Sequence, residues 1–474
     1  MKKPLFLKKV KRIHFTGIKG VGMTALACCA RDLGIKVSGS DVAEIFVTDK
    51  VLKQQKIAWK IGFSAAHLRP RPDLVITTGA HEGLKNPEVL AAAQQKIPVL
   101  TQGQALGEMM AGKEGISVCG VGGKTTTSAM IATVLSFGQR YPSYAVGVAA
   151  IDPLGPGGKF DKGREFVAEA DEYANSPAVD NRPKFSFQKP KIIVVTNIEY
   201  DHPDIYQDFN QTQKAFTAFF TGLSKDGLLV ACADNQNTWE TVKDLGVNRQ
   251  TYGFSSKADW QITKSFFGLG QTIFSLAYQG VIIDDVKIKV PGRFNVLNAT
   301  AAFAVATHLG LDARVIKAGL ANFGGTKRRF EFIGQAKGIK LYDDYGHHPN
   351  EIKEILLAAK KWFPQNRLLV VFQPHTYSRT KALLADFAKA FGLADLVVIT
   401  DIYSSARETD NLGMNGEVLT QEIKKYQNDV VYQPGEAQVA AFLGQRALPG
   451  DVIITVGAGS IFQWHRSILQ ALRA

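Results

Sequence analysis

Residues 120–127 read Gly-Val-Gly-Gly-Lys-Thr-Thr-Thr, directly after the apolar run 116–119 and before a stretch rich in Ala and Met. That order suits phosphate chemistry. Three glycines let the backbone turn N–H groups inward, and a following helix adds the positive end of its dipole. Lys124 can reach outer phosphates, and the Thr125 hydroxyl stands where a Mg²⁺ ligand is needed. Gly120, Val121, Gly122, Gly123, Lys124, Thr125 and Thr126 are therefore candidates for holding ATP. A glycine turn that binds nothing is the alternative, and a cation and hydroxyls placed immediately after the last glycine argue against it. Position 118 is Val rather than Gly, so the motif is a compact G-x-x-G-K-T and not the longer P-loop.

Two further strand-like runs end in residues that bind metal beside phosphate. One reads Glu-Phe-Val-Ala-Glu-Ala-Asp-Glu over 165–172, the other Ile-Ile-Val-Val-Thr-Asn-Ile-Glu-Tyr-Asp-His over 192–202. Ligands of open α/β sheets sit at the carboxyl ends of strands. Glu169 and His202 could thus converge with Thr125 on Mg²⁺ or Mn²⁺. Acids on a solvated loop and a histidine next to a helix cap would give the same letters. Asn295 could read an adenine edge or cap a helix, and Lys327-Arg328-Arg329 could be a solvated charge run or a phosphate contact. Near the C-terminus, Asp343-Asp344-Tyr345-Gly346-His347-His348-Pro349 and Phe372-Gln373-Pro374-His375-Thr376-Tyr377-Ser378-Arg379 could position a carboxylate and an amine.

The elements that must carry these groups read as doubly wound α/β units. Residues 12–16 and 36–41 are strands flanking a helix over 24–33, with Gly17, Gly20 and Gly22 at the first crossing and Ser40-Asp41 ending the second strand. The glycine order is G-x-x-G-x-G, which weakens a nicotinamide dehydrogenase reading; a nucleotide diphosphate could use the same turn, and a Rossmann-like domain that only packs is the alternative. Strands at 73–79 and 97–100 are continuous in apolar residues, as in sheets covered on both faces. Alternation over 272–278 and 281–290 around Gly280 predicts an antiparallel hairpin, and an Ala-rich helix runs to about residue 309. Strands at 339–343, 368–372, 396–400 and 452–456 alternate with helices at 349–362 and 381–391. The expected fold is α/β in three domains: a Rossmann-like one over 1–110, a central P-loop-type ATPase over 111–328, and a doubly wound one over 329–474.

With 474 residues and 45% apolar content, the chain is too long for a single core. Its 56 basic and 43 acidic residues give a charge of +13, but no Lys/Arg block with interleaved aromatics points to nucleic acid. Handling several phosphates accounts for the charge. Four cysteines, Cys28, Cys29, Cys119 and Cys232, form no CxxC pair, which fits free thiols in a reducing cytoplasm. The apolar part of the basic start is too short for a signal peptide, and no run approaches a membrane span.

The motif order GIKGVGM, SGSD, GGKTTT, EADE, TNIEYDH, GRFNVLNA, RRFE, DDYGHHP and FQPHTYSRT resembles the Mur ligases over essentially the whole chain. The resemblance implies an N-terminal domain for a UDP-sugar, a central ATPase, and a C-terminal domain that closes over ATP and brings the amino acid. The implied activity is ATP-dependent amide formation, with UDP-N-acetylmuramate and L-alanine as substrates, no membrane insertion, and a monomer or homodimer. By similarity, Thr125, Glu169 and His202 are metal-site residues, Asn295 an adenine contact, and Arg329 a ribose or phosphate contact. Lys124, His202, His348, His375 and Arg379 are implied in catalysis, and Gly17, Gly20, Gly22, Ser40, Asp41 and Tyr345 in substrate binding.

Several positions depart from the family pattern. Val121 and Gly122 replace the usual Thr-His, Lys19 a usual Gly, and Thr376 a usual Arg. Residues Ser405-Ala406-Arg407-Glu408 and Gly457-Ala458-Gly459-Ser460 also differ from the usual sequences. A murein tripeptide recycling ligase and a non-catalytic nucleotide-binding relative are the competing expectations.

Overall fold

The computed structural model describes residues 4–473 except 178, 203–204, 269, 405–407 and 409, so the departure at 405–407 lies outside the described residues. Two compact units emerge. The first comprises residues through Ser265 with Ile273–Ile288 and Phe294–Thr326, and the second Phe266–Thr272, Lys289–Arg293 and Lys327 onwards.

The first unit holds two sheets. Strands β1 (Arg12–Thr16), β2 (Lys36–Asp41), β3 (Ala58–Ile61), β4 (Leu74–Thr77) and β5 (Val99–Thr101) form an all-parallel sheet ordered β3-β2-β1-β4-β5. The reversal of strand order at β1 puts Gly17 at a switch point, where ligands of such sheets bind. The central sheet is built on β6 (Glu114–Cys119), β7 (Ser143–Asp152), β8 (Gly155–Lys159) and β9 (Glu165–Glu169). A short ribbon, β10 (Ala174–Ser176) with β11 (Asp180–Pro183), stands apart from it. The sheet continues through β12 (Ile192–Val195), β13 (Leu228–Cys232), β14 (Arg249–Gly253), β15 (Trp260–Gly268), β16 (Gln271–Tyr278), β17 (Val281–Ile288) and β18 (Gly325–Thr326). Its order is β17-β16-β15-β14-β13-β12-β6-β9-β7-β18, with β8 paired to β7. β6 is central, paired in parallel with β12 on one side and β9 on the other. The expected hairpin is thus part of a longer run: β15 precedes it and joins it to the main sheet.

The helix Lys124–Phe137 is buried without a break from Thr126 to Leu135. A helix apolar on every side belongs inside a core, and this one anchors the loop that precedes it. The helix Val21–Asp32 runs so close to β8 that a Cβ on Gly158 would lie 2.0 Å from the Ala25 carbonyl oxygen. The two sheets of this unit therefore share one continuous core, from Phe15 and Leu26 to Phe166 and Ala168.

The second unit carries β19 (Glu331–Ala336), β20 (Ile339–Asp344), β21 (Leu368–Phe372), β22 (Leu396–Ile399), β23 (Val430–Tyr432) and β24 (Val452–Val456). Their order is β19-β20-β24-β21-β22-β23, parallel except for β19. The helix expected over 381–391 is two short ones, Tyr377–Ala382 and Leu384–Ala388, broken at Leu383 with φ −109° and ψ 19°. Among the described residues no helix is long and apolar enough to cross a membrane.

One buried carboxylate ties the N-terminal sheet to its covering segment. Glu88, fully buried, accepts from the hydroxyls of Thr16 (2.8 Å) and Ser40 (2.5 Å), from His67 Nδ1 (2.8 Å) and from the Ser64 N–H (3.3 Å), with His14 Nε2 at 3.2 Å. Burial works to raise its pKa, but the bonds from His14, Ser40 and Thr16 prevail and hold it down to about 2. A depressed carboxyl stabilises the fold above its unfolded value and loses that contribution as pH falls through its folded value. Glu88→Gln is expected to cost about 3 kcal/mol near pH 7. Urea unfolding of both proteins should show this gap narrowing as pH drops from 4.5 toward 2; a gap independent of pH would remove the ionised carboxylate from the account.

Candidate active site

The loop after β6 is held open by its own glycines and by Asn197. A Cβ on Gly120 (φ +123°) would lie 2.3 Å from Thr196 Oγ1, and one on Gly123 (φ +87°) 2.8 Å from Asn298 Oδ1. Both positions also need the left-handed conformation that glycine tolerates. Asn197 Oδ1 accepts from the Gly122 N–H (2.9 Å) and its carbonyl from the Val121 N–H (3.2 Å), while the Thr196 hydroxyl donates to Gly122 O (2.6 Å). The helix begins at Lys124 with no side-chain cap. The N–H groups of its first turn are therefore the natural partners for phosphate oxygens.

Lys124 donates to the Gly120 carbonyl (2.6 Å) and to both oxygens of Glu172 (3.0 and 3.2 Å). Burial would lower the pKa of this ammonium, but the carboxylates of Glu172, Asp171 and Glu169 outweigh it and push the pKa up. Lys124 is a fixed cation at neutral pH. Thr125 donates to Glu169, which also takes the Gly147 N–H at 2.5 Å. Burial pushes the Glu169 carboxyl up.

Of the expected metal set, the structure joins Thr125 to Glu169 and places His202 elsewhere in the same pocket of charge. His202 (φ +59°) lies 3.8 Å from Glu172 and 3.6 Å from Asp201. Among the described residues, Glu172, Asp201 and His202 offer ligand atoms within 4.8 Å of one another. Glu172 bridges this group to Lys124. Hydroxyl and carboxylate oxygens with one imidazole suit Mg²⁺ or Mn²⁺ rather than a thiophilic metal. Asn295 is buried on the first turn of the helix Arg293–His308 and accepts from Asn298 Nδ2 at 3.2 Å, so Asn298 links it to the Gly123 end of the loop.

At the first crossing, Gly17 (φ +79°) leaves 2.4 Å between a built Cβ and Thr78 Cγ2, and its N–H donates to Ser40 O. Gly20 precedes the helix, and a Cβ on Gly22 would lie 3.2 Å from Gln102 Nε2. Ser40 and Asp41 differ from the expectation that they face substrate. The Ser40 hydroxyl is spent on Glu88, and Asp41, buried, takes the N–H groups of Lys19 (2.7 Å) and Val42 (2.8 Å). Lys19, in place of a glycine, turns its ammonium inward to the carbonyls of Val42 (2.9 Å) and Glu44, 3.6 Å from Asp49. It pins the segment after β2.

In the second unit, Arg329 and Arg328 flank the Tyr345 ring at 5.4 and 5.1 Å. Arg328 is buried and pairs with Asp343 at 2.9 Å. Asp344 takes the N–H groups of Phe330 (2.8 Å) and Gly346 (2.7 Å), and burial raises its pKa to about 6. His348 is not placed as expected. Its Nδ1 accepts from the Asn350 N–H and its own N–H donates to Glu351, so it caps the helix Pro349–Trp362. The ring that faces His375 is that of His347, with centroids 6.3 Å apart.

His375 Nδ1 accepts from Arg379 Nη1 at 3.1 Å, and its ring stacks on Tyr403. Burial, then the nearby Arg379 and His347, lower its pKa to about 4. The ring is neutral at pH 7, with its proton on Nε2. Burial also lowers the pKa of His347. Thr376 adopts φ +68° to cap the turn that presents Arg379, the kind of backbone strain found where side-chain aim matters. Glu172, Asp201, Asn197 and His347 were written in the motifs without a role, because no spacing rule tells which of several adjacent polar residues turns inward after a strand.

Family models match three stretches of the chain: "Mur ligase family, catalytic domain" over 12–114, "Mur ligase middle domain" over 118–306, and "Mur ligase, glutamate ligase domain" over 328–459. The chain is 39% identical to the UDP-N-acetylmuramate–L-alanine ligase of Geobacter sp. (strain M21), over 98% of each protein. It superposes on the UDP-N-acetylmuramate–alanine ligase of Thermotoga maritima with a TM-score of 0.83 at 28% identity, covering 98% of this chain and 99% of that one. A murein peptide ligase of Psychrobacter arcticus gives 0.71 at 25% identity, with the same coverage.

The buried pair of Lys124 and Glu172 makes separate demands on stability and on chemistry. Lys124→Met strands a buried carboxylate and is expected to destabilise by about 3–5 kcal/mol. Lys124→Met/Glu172→Gln should recover most of that in denaturant unfolding while ATP turnover stays down at least about a thousandfold. Recovery of turnover in the double variant would show that Lys124 serves only to neutralise Glu172.

Proposed function

The chain belongs to the Mur ligase family, and from that membership we propose that it joins L-alanine to UDP-N-acetylmuramate at the expense of ATP, in peptidoglycan precursor synthesis. The observation that carries this reading is the presence in one chain of a phosphate loop, with its fixed Lys124 cation, and of a second-unit cluster chemically fitted to an amino acid. In the division of labour, 1–110 takes the sugar nucleotide, 111–328 handles ATP, and 329–474 handles the amino acid. The substrates and ATP place the reaction in the cytoplasm.

A lactyl carboxylate oxygen attacks the γ-phosphorus, the bond to the bridging oxygen breaks, and ADP leaves. The resulting acyl phosphate is attacked at carbon by the alanine amine; the tetrahedral intermediate expels phosphate, and the nitrogen loses a proton. Lys124 and the first-turn N–H groups stabilise the charge that spreads over the transferred phosphoryl oxygens. Thr125 with Glu169, and Glu172 with Asp201 and His202, are the two groups that would hold Mg²⁺ or Mn²⁺, which would supply screening of phosphate charge and polarisation of the γ-phosphoryl group. Asn295 and Arg329 serve the adenine and ribose or phosphate ends of ATP. Gly17 with Gly20 and Gly22 gives the sugar diphosphate its backbone approach, whereas Ser40 and Asp41 act by shaping that turn.

The amino-acid end follows from protonation. A neutral His375 already receives a hydrogen bond at Nδ1, so it offers N–H at Nε2 and does not compete with Arg379 for charge. A guanidinium and an imidazole N–H together suit a carboxylate. His347 and Tyr345 complete that cluster, with His348 acting through the helix it caps. Phosphate release that needs UDP-N-acetylmuramate, Mg²⁺ and L-alanine tests the reaction; release only with the murein tripeptide, or none while ATP still binds, would replace it. Arg379→Ala is expected to raise the KM for L-alanine by about 30- to 100-fold, with the KM for the sugar nucleotide nearly unchanged. Equal loss toward both substrates would take Arg379 out of carboxylate binding.

A further inference from the structure

The N-terminal sheet carries a cavity of about 220 Å³ that the proposed reaction does not use. It opens beside the starts of β1 and β2, where Arg12 and Lys36 are the first residues and paired neighbours. The turn at Gly17 and the end of β2 at Asp41 lie at the opposite ends of the same strands. Lys60 and Arg69 join the lining, so four cations surround one small space. Among the described residues none of the four has an ion pair or a side-chain hydrogen bond. Alternation along the strands puts the side chains of Arg12, His14, Lys36, Ser38 and Lys60 on one face of the sheet, whereas the Trp59 side chain packs on the opposite face against the core.

The carboxylates near this cavity are already committed. Glu88 is enclosed by Thr16, Ser40, His14, His67 and Ser64. Asp73 Oδ2 accepts the N–H groups of Lys11 (2.8 Å) and Arg12 (2.9 Å). His67 also lines the space, and because its Nδ1 is bound to Glu88, Nε2 is the ring nitrogen it has left. Four like charges brought together in a concavity repel one another, and an anion relieves that repulsion. The volume is below the roughly 300–1,000 Å³ of sites for drug-sized ligands, so the occupant is small.

We propose that this cavity is a binding site for a small phosphate-bearing polyanion, with Lys36, Lys60 and Arg69 as its principal charge partners and His67 Nε2 beside them. The proposal is independent of the ligase reading. Its test uses the full chain with ¹³C-labelled histidine at fixed pH, in which His67→Gln identifies one of nine histidine ring resonances by ¹H–¹³C NMR. Sodium pyrophosphate and, separately, glycerol 3-phosphate are titrated without Mg²⁺. The expected result is a saturable shift of the His67 resonance with a Kd below about 1 mM for at least one of them. Binding of glycerol 3-phosphate would assign the site to organic phosphates, and binding of pyrophosphate alone to inorganic ones. Lys36→Ala/Lys60→Ala/Arg69→Ala should weaken the response at least tenfold, and Lys60→Glu alone should weaken it measurably should the triple variant not fold. Phosphate binding at the Lys124 loop would leave His67 unmoved. No His67 shift up to about 10 mM of either ligand, or an undiminished shift in both variants, would overturn the proposal.

Discussion

The first unit depends on keeping one ammonium charged inside a ring of carboxylates. Lys124 is held between the Gly120 carbonyl and Glu172, with Asp171 and Glu169 close enough to raise its pKa. Pairing makes burial of each charge tolerable, since either alone would pay a large desolvation cost. Placement follows from the same pair. β9 delivers Glu169, the residues just after it deliver Asp171 and Glu172, and β6 delivers the loop, so the parallel register of β6 with β9 sets which carboxylate meets the cation. The second unit makes the opposite choice. His375 is kept neutral beside Arg379, and the positive charge there stays on the guanidinium.

Much of this was legible in the sequence because parallel strands are short, apolar and sharply bounded. The runs 368–372 and 452–456 stand in the structure with those limits, as does the helix Pro349–Trp362. The phosphate loop was equally plain, since only glycine fits Gly120 and Gly123. Direction after a strand end was hidden. In DDYGHHP the two histidines are chemically identical, yet one caps a helix and the other faces His375, a choice made by Pro349 and Glu351 together. The side chains of Ser40 and Asp41 turn inward for a related reason. A polar pair at a strand end looks open to ligand until Glu88, distant in sequence, claims the hydroxyl.

The departures from the family pattern acquire physical meaning in place. Lys19 is no vestige of a glycine turn: its ammonium donates to the carbonyls of Val42 and Glu44 and so fastens the segment after β2. Thr376, where an arginine is usual, contributes a cap and a left-handed turn, and leaves Arg379 as the guanidinium beside His375. Val121 and Gly122 withdraw side chains from the phosphate loop and leave its backbone to Asn197.

That last arrangement bears on the thermodynamics of nucleotide capture. Asn197 and Thr196 brace the loop from β12, so its shape is set by the sheet and not by the ligand. A braced loop loses little conformational freedom when a triphosphate arrives, and more of the contact energy remains as affinity. The N–H groups of Val121 and Gly122 are, however, already engaged, so the recognition of charge shifts to the helix end and Lys124. Rigidity is thus obtained by giving up two donors, and the loop works as a fixed socket rather than a flap that wraps its guest.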